Sequence, residues 1–349
     1  MRRIKYFQDC ENIYLKQLGF YDENNNTTDL YTTLQNQWDN FKKEYKNIFG
    51  QKCPYPDEVR DVLIGKFSDL VDIYIDFVYE KKINEPIIKK KNQKIYCDLY
   101  YYSKAIFNYD TKSDSKNKYK LNTFLSEEIA NFFKAHEELD LTTCFYCDAA
   151  YINHFTSQKT YRMYDLDHFL EKADCPILGI SLYNFVPSCQ ICNSKVKGQK
   201  SIETQYGTIN KNELKDYLIR LSPTSSLYNF EDNVTIEINP ISLNYENDFS
   251  KSENFKIVFY TTDKYSKADI KGFMLQERYN YINLKNEALN LLRLKKKYPD
   301  IYISEISSLL SKDGLKIPEE DIKEDIFHLF SDLKNRRIFS KMKEDIITK

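Results

Sequence analysis

Apolar positions along the first hundred residues recur at helical spacing. Leu30, Leu34, Trp38, Phe41, Tyr45 and Ile48 fall three or four apart, so one helix face is apolar there. Pro54 and Pro56 stop that pattern. Asp57 is placed to cap a second helix, with Val59, Leu63, Phe67, Leu70, Tyr74 and Phe77 on one stripe. The basic stretch with Lys81, Lys82, Lys89, Lys90, Lys91 and Lys94 reads as a solvated loop, with DNA contact as its alternative. Residues 109–118 (YDTKSDSKNK) are polar and low in complexity, the signature of a linker. A short helix capped by Ser126 and carrying Ile129, Phe132 and Phe133 comes next. Beyond residue 200, Val234–Ile238 and Phe255–Tyr260 alternate as strands do. A long helix with Leu275, Tyr279, Ile282, Leu289 and Leu292 on one face ends before Pro299. A last helix starts at Pro318 and carries Ile322, Ile326, Phe330 and Leu333. The pattern gives an α+β fold in three stretches: a mainly helical 1–140, a chemically distinct 141–230, and a helical 231–349 with a short β element.

Composition narrows this picture only a little. The chain has 349 residues, 42% apolar and 30% charged, which suits two or three folded domains. Its many Tyr and Phe and few Gly follow the bias of an A/T-rich gene, so their number carries no argument for stacking. No apolar run approaches the roughly 18 residues that span a bilayer. The longest, Ile177 to Val186, is interrupted by Gly179, Ser181 and Asn184. The start, MRRIKYFQDC, turns polar at once and does not read as a secretion signal. These features set the expectation of a cytoplasmic protein with reduced thiols and no membrane partner. The net charge is −1, so any footprint for a polyanion must be local.

The eight cysteines then call for metal or burial. Cys144-Phe-Tyr-Cys147 and Cys189-Gln-Ile-Cys192 are two C-x2-C knuckles. Such knuckles place four thiolates around Zn2+ and hold together a segment too short to bury its own core. The 41 intervening residues exceed the ~15–20 of a simple zinc ribbon, so the ion clamps something larger than a hairpin. Cys10, Cys53, Cys97 and Cys175 lack such partners and read as small buried apolar groups.

Between the knuckles lie YRMYDLDHFLEK (161–172) and SLYNFVPSCQICNSKVKG (181–198). The order C-x2-C, D-x-D-H, N, C-x2-C-N-x-K resembles the HNH, or ββα-metal, endonuclease family, including the HNH domain of CRISPR RNA-guided nucleases. The resemblance covers residues 144–198. It implies a zinc-clamped ββα-metal core inserted between the helical regions. Tyr161–Asp165 would lie on the first strand, Asn184 on the loop or strand after it, and Cys192–Lys197 near the start of the helix.

Cutting a phosphodiester needs a nucleophile, charge stabilisation and help for the leaving group. His168 is the natural general base, since a neutral imidazole takes a proton from water near neutrality. Asp167 offers a hard oxygen suited to Mg2+ or Mn2+. The resemblance adds a carbonyl oxygen from Asn193, where the family often has His. A cation there would neutralise the scissile phosphate and stabilise the leaving 3′ oxygen. Asn184 is placed to orient the imidazole, and Lys195 and Lys197 to pair with phosphates. Asp165 reads either as a further metal ligand or as a brace for the strand. His154 and His136 read as surface or core-edge groups, and His328 as part of a solvated helix face with Glu324 and Asp332.

The function expected is a metal-dependent DNA endonuclease acting most readily on duplex DNA. An RNA- or tRNA-cleaving toxin shares the same chemistry, and a non-catalytic zinc-knuckle module needs only the cysteines. No P-loop motif occurs, so the chain has no ATPase of that kind. The layout, with Arg278-Tyr279 on a helix after the core, is similar to HNH proteins of Septu-type and retron-associated anti-phage systems. That similarity implies a separate partner ATPase.

Overall fold

The computed structural model describes residues 1–86, 88–90, 93–95, 97–107, 125–139, 141–156, 160–198, 200, 202–207, 209–241, 251–312, 317–328 and 337–348. The linker expected at 109–118, and Phe330 and Leu333, lie outside them. Among the described residues helices dominate, joined by four two-stranded antiparallel sheets. The fold is therefore mixed α+β. Among them, no helix is long and apolar enough to cross a membrane.

The N-terminal region folds as its apolar pattern requires. Helix α1 (Cys10–Gln17) precedes α2 (Asp29–Phe49), whose Thr28 hydroxyl accepts from the Tyr31 amide and caps it. Leu34, Trp38, Phe41 and Tyr45 are buried, while Ile48 at the end of the stripe is exposed. The second expected helix is broken. It runs as α3 (Val59–Ile64) and α4 (Phe67–Ile75), then widens into a π-helical turn, Asp76–Glu80. Gly65 takes an extended conformation and separates the two pieces, yet all six apolar positions of the stripe are buried. Glu58, not Asp57, precedes the first helical residue, and it makes no side-chain capping bond. The basic stretch expected as a loop contributes a hairpin of β1 (Ile88–Lys90) and β2 (Gln93–Ile95). Then come α5 (Asp98–Ile106) and α6 (Leu125–Ala135), with Ser126 inside the first turn of α6 instead of capping it.

The middle region is built from hairpins. Strands β3 (His154–Thr156) and β4 (Thr160–Arg162) pair first. Then β5 (Asp165–His168) pairs with β6 (Phe185–Ser188) in the register Asp165↔Ser188 to His168↔Phe185. A wide helical turn, Ile191–Lys197, follows directly. It closes with the Gly198 amide on the Asn193 carbonyl, and Gly198 takes φ 57. The long β5–β6 loop is held by the N-terminal helices. Tyr14 donates to the Ile180 carbonyl at 2.9 Å, Ser181 to the Val62 carbonyl at 2.7 Å, and Tyr100 to the Ala173 carbonyl at 2.8 Å.

Short helices α7 (Ile202–Tyr206), α8 (Leu214–Leu221) and α9 (Phe230–Asn233) lead to the hairpin of β7 (Thr235–Pro240) and β8 (Phe255–Tyr260). After α10 (Lys264–Gly272), the single helix expected from Leu275 onward divides into α11 (Leu275–Tyr279) and α12 (Ile282–Lys297). Edge chemistry accompanies the break. Asn280 both accepts from the Ile257 amide and donates to its carbonyl, and Gln276 accepts from the Phe259 amide. These side chains satisfy a strand edge otherwise left open. Helices α13 (Asp300–Lys312), α14 (Glu319–Phe327) and α15 (Ser340–Thr348) complete the chain. His328, expected on a helix face, instead ends α14 in a left-handed conformation. Buried side chains of all three regions join one apolar cluster.

Candidate metal centre and hairpin site

The knuckle Cys144–Cys147 sits in a tight turn. The Cys144 amide bonds the Ala150 carbonyl, and the Asp148 amide returns to the Cys144 carbonyl at 2.8 Å. Asp148 takes φ 51, a left-handed conformation that Asp tolerates, and its carboxylate accepts from Thr143 at 2.7 Å. The second knuckle lies where β6 passes into the Ile191–Lys197 turn. The β5–β6 pairing and the two turns bring all four sulfurs within 4.8 Å of one another, every one of them buried. Cys147 and Cys189 Sγ are 3.9 Å apart. A tetrahedral ZnS4 unit with bonds of about 2.3 Å has sulfur–sulfur edges of about 3.8 Å. The set fits a structural zinc.

The surroundings suit thiolates. Backbone amides of Ala149, Cys189 and Cys192 point at the sulfurs of Cys147, Cys144 and Cys189. The neighbouring Cys144 thiol holds Cys189 well below the usual thiol range, whereas burial pushes Cys144 up and opposes its ionisation. Arg278 donates to Cys192 Sγ at 3.2 Å. Tyr279, next to it, donates to the Cys147 carbonyl at 2.7 Å. The sequence marked this dipeptide without giving either residue a task. Cys10, Cys53 and Cys175 are buried as expected, and Cys97 is half-buried.

The motif between the knuckles folds as strand, strand and helical turn, with Asp165 and Asp167 on one face of β5 and His168 on the other. The first strand is Asp165–His168 in place of Tyr161–Asp165. Asp167 is 5% exposed. Its carboxylate accepts from Lys197 Nζ at 2.8 and 2.9 Å and from the Tyr146 phenol at 2.6 Å. Burial and that carboxylate push the Tyr146 phenol well above its ordinary value, so it stays a donor. Lys197 also meets the His168 carbonyl at 2.5 Å and Glu171 Oε1 at 3.3 Å. Burial raises the Glu171 carboxyl against the pull of that ammonium.

Two roles expected from the sequence are corrected here. Lys197 is 4% exposed and committed to Asp167, so it is an internal cation and not a phosphate contact. Asn184 does not orient the imidazole. Its amide donates to the Leu170 and Leu178 carbonyls and accepts from the Leu170 amide, which pins the β5–β6 loop. Lys195 is exposed.

The hard-cation site is not assembled as expected either. Asn193 donates to Asp165 Oδ2 at 3.0 Å, while Asp167 is held by Lys197. Among the described residues, the four cysteines are the one group of three or more His, Cys, Asp or Glu placed to share an ion. His168 is 7% exposed, stacks at a tilt on Phe185, and its Nε2 lies 2.9 Å from the Gly179 carbonyl. A carbonyl only accepts, so Nε2 carries a proton. Comparisons with protein-family models, with curated proteins and with solved structures find no match to this chain.

Proposed function

We propose that this chain is a zinc-stapled HNH-type nuclease that hydrolyses DNA phosphodiester bonds, with His168 as the base. One observation carries the reading. The D-x-D-H segment lies on the first strand of a hairpin that runs straight into a helical turn bearing Asn193, with a four-cysteine centre clamping both ends. A scaffold would need only the cysteines. In this reading the Gly179 carbonyl orients the ring of His168, which takes the proton from the attacking water. Asn184 holds the loop that supplies that carbonyl. No step is assigned to Mg2+ or Mn2+, because Asp167 and Asn193 do not come together around a common site. The defence setting and a partner ATPase rest on the resemblance alone.

A second reading has its own observation. His168 and Asp167 are both nearly buried, and Asp167 is already neutralised by Lys197. That suits a non-catalytic zinc module. The zinc-loaded protein, incubated with plasmid DNA and with total RNA in Mg2+, Mn2+ or EDTA, separates the two. The nuclease reading expects DNA cleavage that is lost in His168→Ala at full zinc content. Cleavage of RNA alone moves the substrate to RNA. Absence of cleavage under every condition favours the module.

A further inference from the structure

The chain as a whole is almost neutral, yet charge is sharply segregated around the candidate site. Residues 149–163 and 175–202 contain no Asp or Glu, in a chain where 52 of 349 residues are acidic. They carry Lys159, Arg162, Lys195, Lys197 and Lys200. Apart from Asp148 beside the first knuckle, the acids of the insert are gathered between them at Asp165, Asp167, Glu171 and Asp174. Of the basic residues, Lys197 is spent internally, while Arg162, Lys195 and Lys200 are exposed.

Exposed aromatic surface lies on the same ground. Phe155 and Tyr161 face each other across the β3–β4 hairpin, 52% and 43% exposed. Their rings stack at 5.1 Å with an interplanar angle of 16°. Large exposed rings held side by side contribute little to a core and present flat π-faces to the solvent. The hairpin ends at Arg162, three residues before Asp165, and Asn193 on the Lys195-bearing turn bonds Asp165. The last residue of the hairpin and the helical turn thus both lie near the start of β5, with the two rings on one face of the hairpin and Arg162 on the other.

We propose that the β3–β4 hairpin binds unpaired nucleic acid. Phe155 and Tyr161 stack on bases, and Arg162 and Lys195 contact the backbone phosphates. This deepens the nuclease reading and rests on it. Rings favour splayed bases over a closed duplex, because every base offers a π-face only when it is out of its stack. The acid-free flanks supply the charge complementarity that the net charge of the chain lacks.

The test is fluorescence anisotropy with a labelled oligothymidylate and a labelled duplex. It uses full-length zinc-loaded protein with no added divalent cation. Phe155→Ala/Tyr161→Ala should weaken single-strand binding about ten-fold or more. Arg162→Gln and Lys195→Gln should each flatten the log affinity–log salt slope by about 0.7. Melting temperature and zinc content, which exposed substitutions leave unchanged, confirm that the fold is intact. Undiminished single-strand affinity in the double aromatic variant overturns the hairpin proposal while leaving the nuclease reading standing. So does tighter duplex binding that ignores the rings. A wild-type protein that binds neither probe also overturns the hairpin proposal, and the nuclease reading then stands or falls with the cleavage assay alone.

Discussion

The ammonium of Lys197 lies 2.8 and 2.9 Å from the two carboxylate oxygens of Asp167, with both side chains 5% exposed. Buried pairs of this kind are costly to break, because the partner left behind is an uncompensated charge. The pair ties β5 to the helical turn that carries the second knuckle, and the His168 carbonyl at 2.5 Å extends the tie to the strand end.

Lys197→Met should therefore lower stability by about 3–5 kcal/mol, since Asp167 is stranded with only the Tyr146 phenol. Lys197→Met/Asp167→Leu should recover a large part of that loss. Urea unfolding of the two variants and the wild type measures both effects. A Lys197→Met protein as stable as the wild type would show that the pair is not formed in solution.

Zinc removal should loosen more than the knuckles. The turn around Cys144–Asp148 receives the chain's start and its end. The Arg2 amide bonds the Phe145 carbonyl, and the Phe339 amide bonds the Asp148 carbonyl at 2.6 Å. Binding free energy at a structural zinc is also folding free energy. Cys144→Ser and Cys189→Ser should each abolish stoichiometric zinc and lower the melting temperature. Hydrogen exchange should rise together around residues 2–4, 143–152 and 339–346. Exchange confined to the knuckles would rule out this coupling. The expected wild-type content is one zinc per chain.

Arg278 should matter to the metal as much as to the fold. Four thiolates and one Zn2+ leave an excess of negative charge, and the guanidinium 3.2 Å from Cys192 Sγ partly neutralises it. Arg278→Met should weaken zinc retention by about 10–100-fold, in line with other outer contacts of metal ligands. Arg278→Lys should fall between, because the shorter side chain keeps the charge but brings it less close to the sulfur and the Phe273 carbonyl, which the single nitrogen Nη1 of Arg278 contacts together. Chelator competition measures the order. Equal zinc affinity in all three proteins would remove Arg278 from the centre.

Local pattern carried much of this architecture, and long-range pairing carried the rest. The stripe Leu34, Trp38, Phe41, Tyr45 is buried as its spacing requires, and β8 spans the alternating Phe255–Tyr260. The knuckle spacing pointed to the four sulfurs that meet. The helix break at Asn280 was hidden, because the apolar periodicity runs through it and the partner of Asn280 is a strand edge elsewhere in the chain. Lys197 was misread for a related reason. A lysine in a motif rich in polar groups gives no local sign that a carboxylate thirty residues earlier will take it inside. Asn184 likewise shows its type but not its target, since an amide bonds a backbone loop as readily as an imidazole.

A buried carboxyl outside the knuckles makes the last prediction. Asp269 on α10 is 4% exposed. Burial raises its carboxyl well above the ordinary value, against the opposing effect of its hydrogen bond to Tyr228. Its value in the folded chain is thus higher than the roughly 3.9 of an unfolded Asp. The sign follows from proton linkage. The folded state holds a proton that the unfolded state has lost, so this group's contribution is greatest below the unfolded value and fades as pH rises through the folded one. An amide keeps the shape and never ionises. Asp269→Asn should therefore gain melting temperature over the wild type, and gain more at about pH 8 than at about pH 5. Paired melts of the two zinc-loaded proteins at each pH cancel any loss of metal common to both. A difference that is constant with pH, or larger in acid, would place an ionised Asp269 in the folded chain.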